Sequence, residues 1–259
     1  MPAQTLSPTP ALCELREVDV AAPRAPAVAL LQEVNWRIHP GDRWLLFSPS
    51  GAGKSALLLT AAGIQRPLRG EVCLMSCALG NLREQELLPF RRQVGLVFEG
   101  GGRLFPDLTV AQNVALPLVY HQSRSWPEAV QEIQPLLEWL ELSSQAENTP
   151  VLLPRPWLPR AGLARALALR PRLLLLDHPW RGADARERQW WQTKLAELPQ
   201  YSPGVEALVL AADEAEPWLG HFTQLAAVHQ RHLVTFASGE ECRAWLAAHH
   251  LLASHPESG

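Results

Sequence analysis

The chain has 259 residues, of which 47% are hydrophobic and 19% charged, and 23 Lys and Arg against 26 Asp and Glu give a formal net charge of -3. An ordinary apolar fraction with a small net charge argues against intrinsic disorder and against a generally basic nucleic-acid surface. No run approaches the roughly 18 apolar residues that a membrane span needs, and the first ten residues lack the basic and apolar parts of a signal peptide. We therefore expect a cytosolic α/β protein that binds no nucleic acid.

The predicted elements begin after a loose tail at residues 1–10, and residues 251–259 are expected to form a second tail. Between residues 110 and 142 the apolar residues follow helical spacing. The leucine run at 173–176 does not alternate, which is typical of a parallel strand buried on both faces. Short apolar runs predict strands at Val28–Leu31, Trp44–Phe47, Val72–Met75, Val94–Phe98, Leu173–Leu176, Leu208–Ala211 and Leu233–Phe236. The pattern predicts an α/β sheet with helices packed around it.

A phosphate-binding loop is the most specific motif. Between an apolar run and a helix-forming segment the chain reads Ser48, Pro49, Ser50, Gly51, Ala52, Gly53, Lys54 and Ser55. Such a loop needs glycines to turn backbone N–H groups towards phosphate, a lysine for the β and γ oxygens, and a hydroxyl for Mg²⁺. Gly51, Gly53, Lys54 and Ser55 supply these groups. Ser48 replaces the opening glycine of the pattern, and we expect its Cβ to strain the turn by about 1 kcal/mol.

Further segments carry a resemblance to a known family. Asp177 ends the run RLLLLD and is followed by HPWRGAD, which resembles the Walker B and D-loop segment of ATP-binding-cassette (ABC) ATPases. VGLVFEGGGRLFPDLTVAQNVALPL resembles the glutamine-loop region of that family, especially of the ATPases of lipid-asymmetry (Mla-type) importers. ARALALRPRLLLLD and LVTFASGEECRAWL resemble the helix and strand after the family's signature motif and its closing hairpin and helix.

The resemblance covers about residues 12–248 and implies a fold. It implies a P-loop NTPase over residues 11–250, namely one ABC-type nucleotide-binding domain. This domain has a RecA-like core, an antiparallel β part and a helical insertion at about residues 100–162. ATP and Mg²⁺ are the cofactors that it implies.

The resemblance also implies roles for single residues. Ser55 and Asp177 fall at the family's Mg²⁺ positions. Glu99 replaces the family's glutamine, and its carboxylate can still ligate a hard cation. His178 stands where the family has a catalytic glutamate, so it either positions water weakly or only fills the space. The family's switch histidine falls at Ala212, whose methyl group cannot contact a phosphate.

Two further family motifs are replaced. The signature LSGGQ falls on Leu153-Pro154-Arg155-Pro156-Trp157, where both glycines are gone and the prolines offer no N–H. The segment VDVAAPRAP has no aromatic ring at the family's adenine-stacking position. These replacements predict weakened nucleotide binding and strongly impaired hydrolysis.

The resemblance implies the ATP-binding subunit of an ABC transporter, with a phospholipid or another lipid as cargo. The alternative is a non-hydrolysing pseudo-ATPase that acts as a scaffold or regulator of a membrane transport complex. The implied partners are membrane permease subunits and a second nucleotide-binding domain, in a homodimer or a heterodimer. The implied location is peripheral, on the cytoplasmic face of the inner membrane.

Overall fold

The computed structural model describes residues 9–100, 103–181 and 184–249, so both predicted tails lie outside the described residues except for residues 9 and 10. Within these described ranges, ten strands form two sheets. The strands are β1 Cys13–Ala22, β2 Ala25–Ile38, β3 Arg43–Phe47, β4 Arg69–Leu74, β5 Cys77–Ala78, β6 Val94–Val97, β7 Leu173–Asp177, β8 Ala207–Ala212, β9 Gln224–His229 and β10 His232–Phe236. One sheet is antiparallel with the order β2-β1-β4-β5, and the other has the order β10-β9-β3-β8-β7-β6.

In the part of the chain that the structure describes, eight α-helices surround the larger sheet. They are α1 Lys54–Ala61, α2 Glu84–Arg91, α3 Val110–Gln122, α4 Trp126–Glu132, α5 Gln134–Trp139, α6 Trp157–Leu167, α7 Ala185–Tyr201 and α8 Gly239–Ala248. Helices α3 to α5 lie inside the predicted insertion, whereas α6 begins within it and continues to Leu167. Across the three described ranges, no helix is long and apolar enough to cross a membrane.

The larger sheet is buried on both faces. Strands β9, β3, β8, β7 and β6 are parallel, and only β10 runs antiparallel to its neighbour. In β7, Leu174 and Leu176 pack on the side of the helical insertion, while Leu173 and Leu175 pack towards α1 and the smaller sheet. Side chains alternate between the two faces of a strand, so a non-alternating leucine run fills two cores at once. The predicted α/β class is confirmed.

The sequence patterns miss β1, β9 and the two-residue β5, and they give β2 too short. In β1, a bulge at Arg16 and Glu17 interrupts the alternation, and Glu17 adopts a left-handed φ of 50°. The bulge leaves both side chains exposed between buried neighbours, so the period of two disappears from the sequence. The β9 core is built around Ala226 and Ala227, whose small side chains give a weak apolar signal.

Gly70 in β4 faces this bulge at close range, which makes it a site for a stability prediction. A Cβ at Gly70 would lie 2.3 Å from the Glu17 carbonyl oxygen, and Gly70 has a φ of +84°. We expect Gly70→Ala to lower the free energy of unfolding by at least about 2 kcal/mol, because the clash is with backbone. Gly80→Ala is the matched control, since nothing lies within 4 Å of its added Cβ. Urea unfolding of both variants tests this expectation, and equal midpoints would contradict it.

Candidate functional site

The candidate site is a cleft at the carboxyl ends of parallel strands. The loop after β3 carries Gly51 and Gly53, whose φ values of 84° and 107° lie in the left-handed region that glycine tolerates. Gly53 is the N-cap of α1, so the loop directs backbone N–H groups and the helix dipole into the cleft. The expected strain at Ser48 is wrong, because Ser48 does not adopt a positive φ.

Lys54 points its ammonium group into the loop. Its Nζ donates to the Ser48 carbonyl at 2.5 Å and to the Pro49 carbonyl at 3.2 Å. The side chain is only 3% exposed, and Nζ also lies 3.1 Å from Asp213 Oδ1. Burial lowers the pKa of Lys54, although the hydrogen bond and charge of Asp213 oppose this shift. The site therefore holds a buried cation at the position where the sequence predicts phosphate binding.

Asp213 supplies the carboxylate at the centre of the cleft. It follows β8 directly, and β8 lies between β3 and β7 in the sheet. Its Oδ2 accepts a hydrogen bond of 2.9 Å from Arg181 Nη2. Burial opposes ionisation of Asp213, but the Lys54 hydrogen bond and the nearby charges outweigh it, so its pKa is lowered. Asp213 is thus held as an anion facing Lys54.

Arg181 closes the outer side of the cleft. Besides Asp213, it donates to Ser50 Oγ at 2.5 Å and forms an ion pair with Glu99. The hydrogen bond that Arg181 donates to Glu99 raises the pKa of Arg181. Glu99, which the sequence offers as a metal ligand, directs its carboxylate to this guanidinium. The structure brings Glu99 to the cleft, where Arg181 engages it.

His178 lies between two carboxylates. Its Nδ1 is 3.3 Å from Asp177 Oδ1, and its Nε2 is 2.8 Å from Asp213 Oδ1. The Nε2 contact lacks the alignment of a hydrogen bond, so this buried nitrogen has no hydrogen-bond partner. His178 is 6% exposed and has a φ of 44°. The ring is therefore packed in place beside the phosphate loop, with one nitrogen unsatisfied.

The residues present fit a nucleotide phosphate with Mg²⁺. Ser55 lines the same cleft of about 210 Å³, and Asp177 ends β7 beside it. Within the described part of the chain, no three His, Cys, Asp or Glu side chains form a metal-binding group. Mg²⁺ usually takes one or two protein ligands together with phosphate oxygens and water, so two oxygen-bearing residues suffice.

No Phe, Tyr or Trp of the described residues lines the cleft, whose apolar lining includes Pro23 and Leu30. Trp36 lies in β2, where it is 2% exposed and makes an edge contact with Trp44 at a centroid distance of 5.6 Å. Trp36 is therefore a core residue. The cleft offers aliphatic contact to a base and no stacking partner.

The segment at the signature position lies apart from this cleft. Pro156 is the N-cap of α6, and Pro154 and Arg155 are exposed just before it. None of the residues 153–157 lines the cleft that contains Lys54. In this chain the segment presents a proline-bounded turn with one exposed guanidinium.

Asp213 and Arg181 are the site residues that sequence reasoning misses. Arg181 occurs in the quoted turn after Asp177, and Asp213 follows the predicted strand at Leu208–Ala211, but neither carries a motif role. A signal for Asp213 exists. The carboxyl ends of parallel strands share one edge, so an acidic residue just beyond a predicted strand belongs near the phosphate loop.

A tryptophan cluster holds the turn that carries His178 and Arg181. Trp180 stacks on Trp218 at a centroid distance of 4.1 Å and an interplanar angle of 26°. It also contacts Trp191 of α7 at 5.7 Å. These two ring contacts fix Trp180, and with it the turn between His178 and Arg181, to the core beneath the cleft.

The fold and the loop together define a P-loop protein built on a RecA-like sheet. A sequence model described as “ABC transporter” matches residues 31–181. This match covers more than half of the chain, so the protein belongs to the ABC transporter family. Proteins of this family bind ATP, typically with Mg²⁺.

Curated relatives and solved structures agree with this family. The spermidine/putrescine import ATP-binding protein PotA of Frankia alni is 36% identical over 193 residues, which are 74% of this chain and 40% of that protein. The cell division ATP-binding protein FtsE of Escherichia coli is 35% identical over 149 residues, which are 58% of this chain and 66% of that protein. The chain spans between 40% and 66% of the length of the curated relatives reported for it.

Two structural neighbours confirm the ABC-type fold. The ATP-binding cassette MJ0796, solved as a dimer in a post-hydrolysis state with ADP and Pi, superposes with a TM-score of 0.77 and 25% identity. The match covers 88% of this chain and 99% of that one. CbiO1 of Clostridium perfringens superposes with a TM-score of 0.76 at 18% identity over 95% of this chain and 96% of that one.

Proposed function

We propose that the protein is the ATP-binding subunit of an ABC transporter and binds ATP with Mg²⁺ in the cleft around Lys54. The conformation of the phosphate loop carries this proposal: Gly51 and Gly53 are left-handed, and the buried ammonium group of Lys54 lies at the start of α1. When bound, Mg²⁺ neutralises phosphate charge, and Ser55 and Asp177 are the residues to hold it. Lys54 meets the phosphate oxygens, with the N–H groups of residues 51–55 around them.

The transporter assembly belongs to the same proposal. We infer membrane permease subunits and a second nucleotide-binding domain as partners, with the chain peripheral to the cytoplasmic face of the inner membrane. The MJ0796 cassette is described as dimeric, and CbiO1 as part of the transporter complex CbiONQ. Both names support a working assembly of two such domains with membrane subunits.

The cargo is proposed from the glutamine-loop segment alone. Its resemblance to Mla-type ATPases favours a phospholipid or another lipid. The names of the relatives give other cargoes, among them spermidine and putrescine for PotA. Purification from membranes with the permease retained, followed by mass spectrometry of the bound lipid, tests the assignment. A polyamine or an inorganic ion in place of lipid would contradict it.

Impaired hydrolysis is the proposed property that distinguishes this chain within its family. His178 stands at the position of the catalytic glutamate, and Ala212 at that of the switch histidine. Ala212 packs into the core on the side of the helical insertion, and Asp213 is the neighbouring residue that reaches Lys54. The second candidate function, a scaffold or regulator that does not hydrolyse ATP, is favoured by the unbroken ion pairs that fill the cleft.

Substitution of Lys54 tests nucleotide binding. We expect Lys54→Ala to abolish the binding of Mg-ATP measured by calorimetry. Among the described residues that line the cleft, the only other lysine or arginine is Arg181, which lies at the mouth of the cleft and not in the loop. The sequence contains one other lysine, Lys194, so Lys194→Ala is the matched control and is expected to bind as the parent does. Binding by Lys54→Ala equal to that of the parent would contradict the site assignment.

A parent chain that binds no Mg-ATP at millimolar concentration would favour the scaffold function instead. Co-purification then tests whether the chain assembles with a membrane permease. A permease that copurifies with both the parent and Lys54→Ala would support assembly without nucleotide. A chain that captures no membrane protein would contradict the transporter assignment.

A further inference from the structure

All the basic side chains that line the cleft in the described residues face one carboxylate. Asp213 Oδ1 lies 3.1 Å from Lys54 Nζ and 2.8 Å from His178 Nε2. Its Oδ2 lies 2.9 Å from Arg181 Nη2. Glu99 shares Arg181 with Asp213. The cleft is thus closed by ion pairs within the chain.

A carboxylate and a phosphate compete for the same donors. Both are anions that bind lysine and arginine through charge-assisted hydrogen bonds. Asp213 therefore occupies the groups that a nucleotide phosphate requires. An Asp213 anion left in contact with Lys54 beside a polyphosphate would add like-charge repulsion. One of the two anions has to leave Lys54.

The solvent exposure of the two side chains indicates whether Lys54 or Asp213 moves when phosphate binds. The Lys54 side chain is 3% exposed and held by loop carbonyls, so it cannot turn away without leaving a buried cation unpaired. The Asp213 side chain is 35% exposed and can move into water. Arg181 is 39% exposed and keeps Glu99 as a second partner when Asp213 departs.

We propose that Asp213 is an internal competitor for the nucleotide phosphates and that this residue sets the nucleotide affinity of the cleft. Asp213 holds Lys54 and Arg181 in the chain without nucleotide and releases both when phosphate binds. Arg181, once released, becomes a ligand of the phosphate. The proposal rests on the proposed function, because it concerns the same cleft.

The two members of the Asp213–Arg181 pair should change affinity in opposite directions. We expect Asp213→Asn to lower the Kd for Mg-ATP about tenfold, because the binding-competent state no longer competes with the ion pair. Arg181→Gln is expected to raise the Kd about tenfold, because a phosphate ligand is lost. A pair that only supports the structure would shift both affinities in the same direction.

The matched control is Glu214→Gln. Glu214 is the next residue, is exposed and lies outside the lining of the cleft, so its variant removes one negative charge without touching Lys54. We expect its Kd for Mg-ATP to stay within twofold of the parent. Calorimetry measures all Kd values, and thermal unfolding verifies that each variant is folded. Asp213→Ala provides a second variant if Asp213→Asn does not fold.

Each outcome separates this proposal from the proposed function. If the parent binds Mg-ATP and Asp213→Asn binds no tighter than Glu214→Gln, the competitor proposal is overturned and the nucleotide site stands. If only Asp213→Asn binds, the competitor proposal is supported and the natural chain acts as a scaffold. If neither binds, both proposals are overturned, because removal of Asp213 does not open the site.

Discussion

The purified protein is expected to release phosphate from ATP at least about 10⁴-fold more slowly than a family member with complete motifs, and His178→Glu is not expected to restore turnover. Under the proposed function two catalytic groups of the family are replaced, at His178 and Ala212, and each such group is worth about 10² or more in rate. His178 lies between Asp177 and Asp213, so a glutamate there would add a third carboxylate to a crowded, buried site. The repulsion places the new carboxylate poorly and destabilises the fold.

Pairing with a complete partner chain is not expected to remove the proposed defects. The resemblance to ABC ATPases implies that each nucleotide lies between the phosphate loop of one chain and the signature segment of the other. The site with Lys54 would still lack the glutamate and the switch histidine. The opposite site would face the segment at residues 153–157, with its two prolines. Both sites are therefore expected to turn over slowly.

A steady-state phosphate-release assay tests this prediction, and the Lys54→Ala variant gives the background rate. His178→Gln is the matched control for His178→Glu, because it changes the ring without adding charge. We expect His178→Glu to unfold at a lower temperature than His178→Gln and to hydrolyse no faster. Turnover near one per second that Lys54→Ala abolishes would show that another group replaces the glutamate, and impaired hydrolysis would have to be withdrawn.

Arg160→Ala is expected to lower the free energy of unfolding by about 3–5 kcal/mol. Arg160 Nη2 lies 2.8 Å from Glu187 Oε2, and each of these two residues is 8% exposed. Its Nη1 donates to Glu141 at 3.1 Å, and its guanidinium lies 3.9 Å from the centroid of the Trp190 ring. Removal of the arginine leaves the Glu187 carboxylate buried without a counter-charge, which is the costly half of breaking a buried pair.

The double variant separates the lost pair from lost packing. Arg160→Met combined with Glu187→Met removes both charges and keeps apolar volume, so it should recover most of the loss. Exposed Arg155→Ala is the matched control and is expected within about 0.5 kcal/mol of the parent. Denaturant unfolding measures all three. If Arg160→Ala lowered the free energy of unfolding by no more than Arg155→Ala does, the stabilising role of the Arg160–Glu187 pair would be contradicted.

The sequence predicts the parts of the site whose chemistry is local. The loop at residues 48–55 is recognisable because eight consecutive residues carry its donors, its lysine and its hydroxyl. The strand that ends in Asp177 is recognisable because four leucines in a row have one common explanation in an α/β fold. The loop and Asp177 are far apart in the sequence, but the α/β pattern already favours a parallel sheet that brings them to the same edge.

The sequence does not predict how the cleft is closed. Arg181 and Asp213 are 32 residues apart and meet Lys54 only through the order of β3, β8 and β7. The resemblance directs attention to Ala212 as the position of the family's switch histidine, whereas the side chain that lines the cleft is that of the next residue, Asp213. For Ser48, a pattern rule predicts strain that the backbone avoids, since the turn begins without a positive φ.

The stack of Trp180 on Trp218 bears on the entropy of binding. Ordering a mobile turn at the moment of ligand binding opposes affinity by the conformational freedom that is lost. Trp180 has two ring neighbours at 4.1 and 5.7 Å, so the folded chain has already fixed the backbone between His178 and Arg181. A ligand that enters the cleft therefore meets a preorganised turn, whether or not the chain hydrolyses what it binds.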